Sequence, residues 1–176
     1  MSSARWSLRA GLAAWVAASA VVLCNSACSV DSTAVSQVIL PNRDEFINQG
    51  VSTFMQQRCG ALDCHGQKGR PMRLYSTNGL RKTPGKTRPT GKLTDEEETD
   101  NYFSVVGLEP EEITSSMATL GEYQKFQLLL KPLDISGGGV RHKGGPVLRS
   151  TDPGWDCLAS WAAGKVNAAN CRAGLL

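Results

Sequence analysis

Aromatic side chains make up only 6% of this 176-residue chain, and histidine occurs twice, at His65 and His142. So few rings leave a core short of bulk, and 18 glycines point to a loop-rich helical protein whose interior is completed by something other than side chains. Long apolar runs are missing too. The stretch from Gly11 to Leu23 carries no charge, but it is shorter than the ~20 residues of an ordinary membrane span. Nor is there a strong excess of one charge, because 19 basic and 16 acidic residues leave a formal +3. Nucleic-acid binding is therefore unsupported. With 41% apolar residues the chain can still bury a core, which excludes disorder throughout.

The N-terminus reads as an export signal over residues 1–27. Arg5 and Arg9 precede the apolar run, and Ser26-Ala27 then lead into Cys28. This resembles the end of a bacterial lipoprotein signal, in which Cys28 is lipidated and becomes the first mature residue. Simple secretion after Ala27 is the alternative, and both place the chain outside the cytoplasm, in the periplasm or cell envelope. Removing the signal takes away two basic residues and no acid, so the mature chain carries +1. Residues 28–41 follow as a flexible tether, and residues 42–176 as the folded domain.

The chemistry concentrates in Arg-Cys-Gly-Ala-Leu-Asp-Cys-His-Gly at 58–66. Two thiols can add across the vinyl groups of a haem, and a histidine directly after the second thiol is held at the iron. Cys59 and Cys64 are therefore expected to attach a covalent haem c, with His65 as proximal ligand. Four residues separate the thiols, where C-x-x-C-H has two. Zinc held by Cys59, Cys64, His65 and His142, or a plain Cys59–Cys64 disulfide, are competing assignments. Cys157 and Cys171 remain, and in an oxidising compartment they would form a disulfide tying the tail to the last helix. For the distal iron position His142 is the first candidate, Met72 and Met117 are thioether alternatives, and an open site is the fourth possibility.

Periodicity predicts an all-α domain. A helix is expected from Asn42 to about Gly60, with Phe46, Ile47, Val51, Phe54 and Met55 on one face. Thr94 and Glu97 form a capping-box pattern that starts a second helix running to about Val106. Pro110 opens a third that carries Ile113 and Met117, and Glu122–Lys131 forms a fourth, stopped by Pro132. Thr151 or Asp152 caps a last helix opened by Pro153, with Trp155, Leu158 and Trp161 on one face and Gly164 as its stop. Loops cover 66–93 and the glycine-rich 134–146. The first of these loops and its flank hold eight basic residues and no acid between Asp63 and Asp95, read as a solvated loop or a docking patch for a redox partner.

Cys-His-Gly at 64–66, Pro-Met-Arg-Leu-Tyr at 71–75, Leu-Leu-Lys-Pro-Leu at 129–133, His-Lys-Gly-Gly at 142–145 and Trp-Asp-Cys-Leu-Ala-Ser-Trp-Ala-Ala-Gly at 155–164 follow one another in the order of the planctomycete-type cytochrome c domains. The chain resembles that family over roughly residues 42–166. The resemblance implies a small loop-rich cytochrome c-like fold around one covalent haem, and electron transfer with a redox partner rather than enzymatic turnover. A haem-free, disulfide-stapled surface lipoprotein with a binding or structural role is the alternative function. A peroxidase finds no support, since neither a second haem motif nor a distal acid or base is present.

Overall fold

The structure, a computed structural model, describes residues 37–83, 91–119 and 125–176. The export signal, Cys28 and most of the tether lie outside the described residues. Residues 38–176 form one unit. It is all-α, with no strand among the described residues: α1 (Arg43–Asn48), α2 (Val51–Arg58), α3 (Asp95–Val106), α4 (Pro110–Ala118), α5 (Gln127–Leu130), α6 (Pro153–Ala162) and α7 (Ala168–Ala173), with one 3-10 turn at Ile135–Gly137.

The helix expected over 42–60 is two helices. Asn42 caps α1, its side chain accepting from the Glu45 N–H. Gly50 then sits at φ 95°, a left-handed conformation that stops α1 and lets α2 leave in a new direction. A Cβ there would also lie 3.3 Å from the Cys171 Cβ, so the break brings the chain close against α7. The capping box at α3 forms as expected, with Thr94 and Glu97 each bonded to the other's backbone N–H. Of the fourth predicted helix only Gln127–Leu130 is helical among the described residues, and 120–124 lie outside them. Helix α7 had no place in the sequence reading; it is capped by Asn167, which accepts from the Asn170 N–H.

Helix α6 is the centre of the packing, touching α2, α4, α5 and α7. Trp161 and Leu158 on its inner face are buried, and the Phe46 ring lies 5.1 Å from that of Trp161. At Gly154 the approach is closest, because a Cβ would stand 2.4 Å from a ring carbon of Phe54. That glycine lets α2 cross directly over the start of α6. The disulfide expected between Cys157 and Cys171 is formed, both cysteines being fully buried, and it ties α7 to α6.

The end of the segment read as a tether is docked. Pro41 is buried with its carbonyl accepting from the Tyr102 hydroxyl at 2.8 Å, and Ile39 pairs with the Thr114 side chain. The folded unit thus begins a few residues before the predicted boundary at 42.

Candidate functional site

Helix α2 ends at Arg58 and delivers Cys59 into a tight loop that runs to Gly66. The loop is wound on itself: Cys64 N–H donates to the Ala61 carbonyl, His65 N–H to the Cys59 carbonyl and Gly66 N–H to the Ala61 carbonyl, at 3.0, 3.0 and 2.8 Å. Two glycines make that winding possible. A Cβ on Gly66 would lie 2.0 Å from the Gly60 carbonyl oxygen, and one on Gly79 would lie 2.1 Å from the same atom. Ser76, fully buried, also donates its hydroxyl to that carbonyl. The segment 76–79 therefore backs the loop and holds it closed.

The loop faces a cavity of about 550 Å³, a size within the ~300–1,000 Å³ range of pockets that take drug-sized ligands and cofactors. Met55, Met72, Leu108, Leu128, Val147 and Leu158 supply much of its wall. Cys59, Cys64, His65 and His142 all line it, so four of the residues singled out in the sequence come together although His142 is 77 positions from His65. Met72 lines it as well. Met117 does not; its terminal methyl instead packs close against Gly164.

The two imidazoles have parallel planes, 10° apart, with ring centres 6.1 Å from each other. Nδ1–H of His65 donates to the Met72 carbonyl at 2.8 Å, and Nδ1–H of His142 to the Gly145 carbonyl at 2.9 Å. A carbonyl can only accept, so in each neutral ring Nε2 keeps the lone pair. Metal-binding histidines are held in this way, with the second nitrogen tied to a backbone carbonyl or carboxylate. Burial lowers the His65 pKa, an effect partly offset by its bond to Met72 and reinforced by His142 and Arg70, and this favours the neutral ring.

Cys59 is half-buried and Cys64 exposed, and both are free thiols. The predicted alternative of a Cys59–Cys64 disulfide is thus not formed. Burial, with Cys64 nearby, pushes the Cys59 thiol up to about 12, against a smaller pull from Arg58. Burial and Asp63 raise Cys64 as well. No group of three or more His, Cys, Asp or Glu able to hold a metal is assembled among the described residues. The four-ligand zinc site has no support here. A flat, largely apolar group with a metal at its centre and two thiol-reactive arms fits the donor set: His65 and His142 for the metal, Cys59 and Cys64 for the arms.

Arg58, Arg70, Lys131 and Lys143 also line the cavity, with Glu109 as the acid among the lining residues. The sequence reading counted Arg70 in the basic stretch but did not single out Arg58, Lys131 or Lys143 for the site, although Arg58 adjoins Cys59 and Lys143 adjoins His142. It had placed the charge in the acid-free stretch instead. There, Arg81 is buried against Glu97, Lys82 pairs with Glu96 and Asp100, and Arg73 lies 5.0 Å over the Tyr75 ring. Lys86 and Arg88 fall outside the described residues. Of the basic residues described in that stretch, Arg70 lines the cavity.

Comparison with protein-family models, curated proteins and solved structures found no match. The chemistry of the cavity therefore rests on its own residues.

Proposed function

We propose that this chain is a monohaem c-type cytochrome that carries single electrons between partners. The observation that carries the reading is the pair of parallel imidazoles, 6.1 Å apart, each tied through Nδ1 to a backbone carbonyl and both lining one cavity with two free thiols. Cys59 and Cys64 would hold haem c through thioethers, His65 would be the proximal ligand and His142 the distal one. When bound, the haem supplies a one-electron couple. The chain's part is to present two neutral imidazoles and to keep water from the porphyrin face with the buried side chains of Met55, Met72, Leu128 and Leu158. The hydrogen-bonded loop at 59–66 and the two rings tied to backbone carbonyls support the reading, since a rigid site would keep the reorganisation that accompanies electron transfer small.

The reading includes export to the periplasm or cell envelope, with the membrane reached through a lipid on Cys28. The buried Cys157–Cys171 disulfide supports it, since such bonds persist in oxidising compartments. No helix among the described residues is long and apolar enough to cross a membrane.

The test is a pyridine haemochrome spectrum, with haem staining after denaturing electrophoresis, on protein expressed with a c-type maturation system. Covalent haem that is lost in Cys59→Ala/Cys64→Ala is the expected result. Absence of haem, with Cys59 and Cys64 oxidised to each other, would sink the reading and leave a disulfide-stapled surface lipoprotein.

A further inference from the structure

Asn78 is followed by Gly79, and no other asparagine of the chain precedes a glycine. Such a pair is chemically labile. A backbone nitrogen can attack the side-chain amide carbon of the asparagine before it, and a glycine on the attacking side has no Cβ to obstruct the approach. Here the pair sits in a turn from Ser76 to Gly79, with Asn78 exposed and Gly79 partly so. The attacking nitrogen is lightly held: Gly79 N–H reaches the Ser76 carbonyl at 3.3 Å, beyond the ~2.7–3.2 Å of ordinary N–H···O bonds. Firmer bonds belong to its neighbours, since Ser76 N–H donates to the Leu80 carbonyl at 3.1 Å and the Thr77 hydroxyl to the Gly91 carbonyl at 2.6 Å. The underside of the same turn has no slack. A Cβ on Gly79 would lie 2.1 Å from the Gly60 carbonyl oxygen, and the buried Ser76 hydroxyl donates to that oxygen. Gly60 itself lies between Cys59 and Ala61, whose carbonyls accept the N–H groups of His65 and of Cys64 and Gly66. Any lengthening of the main chain at 78–79 must therefore push on the Gly60 carbonyl or break the Ser76 bond.

We infer that Asn78 is a site of self-modification, and that its isoaspartyl form loosens the cysteine loop at 59–66. The Gly79 nitrogen gives up its proton and bonds to the Asn78 side-chain carbonyl carbon. The bond from that carbon to the amide nitrogen breaks, ammonia leaves, and a succinimide ring remains. Water then opens the ring at either carbonyl. Opening at the Asn78 main-chain carbonyl leaves the chain running through the side-chain carbons, one methylene longer, with the carboxylate on the old Cα. Opening at the side-chain carbonyl gives ordinary aspartate on an unchanged backbone. Only the first product pushes Gly79 against the Gly60 carbonyl, so the two products separate the effect of backbone length from that of charge. Nothing in this chemistry requires a bound group, and it stands whether or not the chain carries haem.

The test ages the purified full chain in mildly alkaline buffer and follows it by peptide mass spectrometry and by isoaspartyl methyltransferase labelling. The peptide spanning Asn78 should exchange its amide NH2 for OH, with both products present. Asn78→Gln, whose longer side chain would have to close a six-membered ring, should keep its amide. Hydrogen exchange of residues 60–66 reads the loop. In the isoaspartyl fraction it should run roughly tenfold faster than in fresh protein, the effect of an extra methylene forced into a close-packed contact. Fresh Asn78→Asp, with the new charge on an unchanged backbone, should exchange as fresh wild type does. An Asn78 that keeps its amide under conditions that deamidate the urea-unfolded chain overturns the site. Loop exchange that is equal in the isoaspartyl fraction and fresh protein, or equally raised in fresh Asn78→Asp, overturns the coupling through the backbone.

Discussion

Replacing Glu97 with Gln should destabilise the domain by about 3–5 kcal/mol, the range for breaking a buried ion pair from one side. The carboxylate is 1% exposed and accepts from Arg81 Nε at 3.0 Å, Arg81 Nη2 at 2.8 Å, Lys82 N–H at 2.8 Å and Thr94 N–H at 3.0 Å. Glutamine offers one acceptor oxygen, and its amide NH2 would face donors. Arg81 would stay behind as a buried charge without that counter-ion, and its Nη1 has no hydrogen-bond partner among the described residues. Single domains are stable by about 5–15 kcal/mol, so the variant loses about a fifth of the total or more. Urea unfolding at pH 7, followed by circular dichroism, measures the loss. The double variant Arg81→Met/Glu97→Leu should recover much of it, because both charges leave together. A single variant within about 1 kcal/mol of wild type, or a double variant no better than the single, would refute the reasoning.

The same residue sets an acid-dependence. Burial pushes the Glu97 carboxyl up, but the bonds from Arg81, Thr94 and Lys82 and the Arg81 charge outweigh it and bring it from 4.5 down to about 2. With the folded value depressed, the stabilisation is full above pH 4.5 and is lost as pH falls towards 2. The gap between wild type and Glu97→Gln should therefore narrow over that window; a constant gap would mean that the carboxylate is not the source. Glu98 next to it runs the other way. Burial raises it more than its bonds from Ser52 and Gln56 lower it, so its charge opposes folding at neutral pH and that opposition fades on acidification.

Two further outcomes follow from the packing. Cys157 and Cys171 are 14 positions apart, and a loop of about 15 residues corresponds to roughly 3 kcal/mol of stabilisation, so Cys157→Ala/Cys171→Ala should lower the thermal midpoint by about 10 °C; a shift under about 2 °C would show that α7 is held by other contacts. Gly79→Ala puts a methyl 2.1 Å from the Gly60 carbonyl and 2.5 Å from the Ser76 hydroxyl, so the attachment loop must open. That variant should lose about 1–3 kcal/mol and carry less haem per protein in a stain normalised to Coomassie, whereas unchanged loading would mean the loop forms around the haem and not before it.

What could be read from the sequence was the part that local rules decide. The capping box at Thr94 and Glu97, the proline starts at Pro110 and Pro153 and the Cys157–Cys171 pairing each depend on a few neighbouring residues or on cysteine count, and the structure has them all. The break at Gly50 was missed because apolar periodicity continues through it: Phe46, Val51, Phe54 and Met55 are all buried, so the stripe reads as one helix while the backbone turns between two. Helix α7 has little apolar pattern to read, since Cys171 is its buried residue.

The candidate site divides along a similar line. Cys59, Cys64 and His65 are neighbours in sequence, and their chemistry is visible as a string. The partnership of His65 with His142 is carried by the fold, because the two rings are brought to 6.1 Å by chain that passes through α3, α4 and α5 in between. Still less legible is what orients them, since backbone carbonyls of Met72 and Gly145 do so and any residue type can supply a carbonyl. The cations follow the same logic: a run of basic residues is conspicuous in sequence, yet part of it is neutralised by the acids of α3, while Arg58, Lys131 and Lys143 come from three separate segments and meet at the cavity. Charge around a site is set by which segments converge on it, and a net charge near zero can still leave one cavity strongly positive.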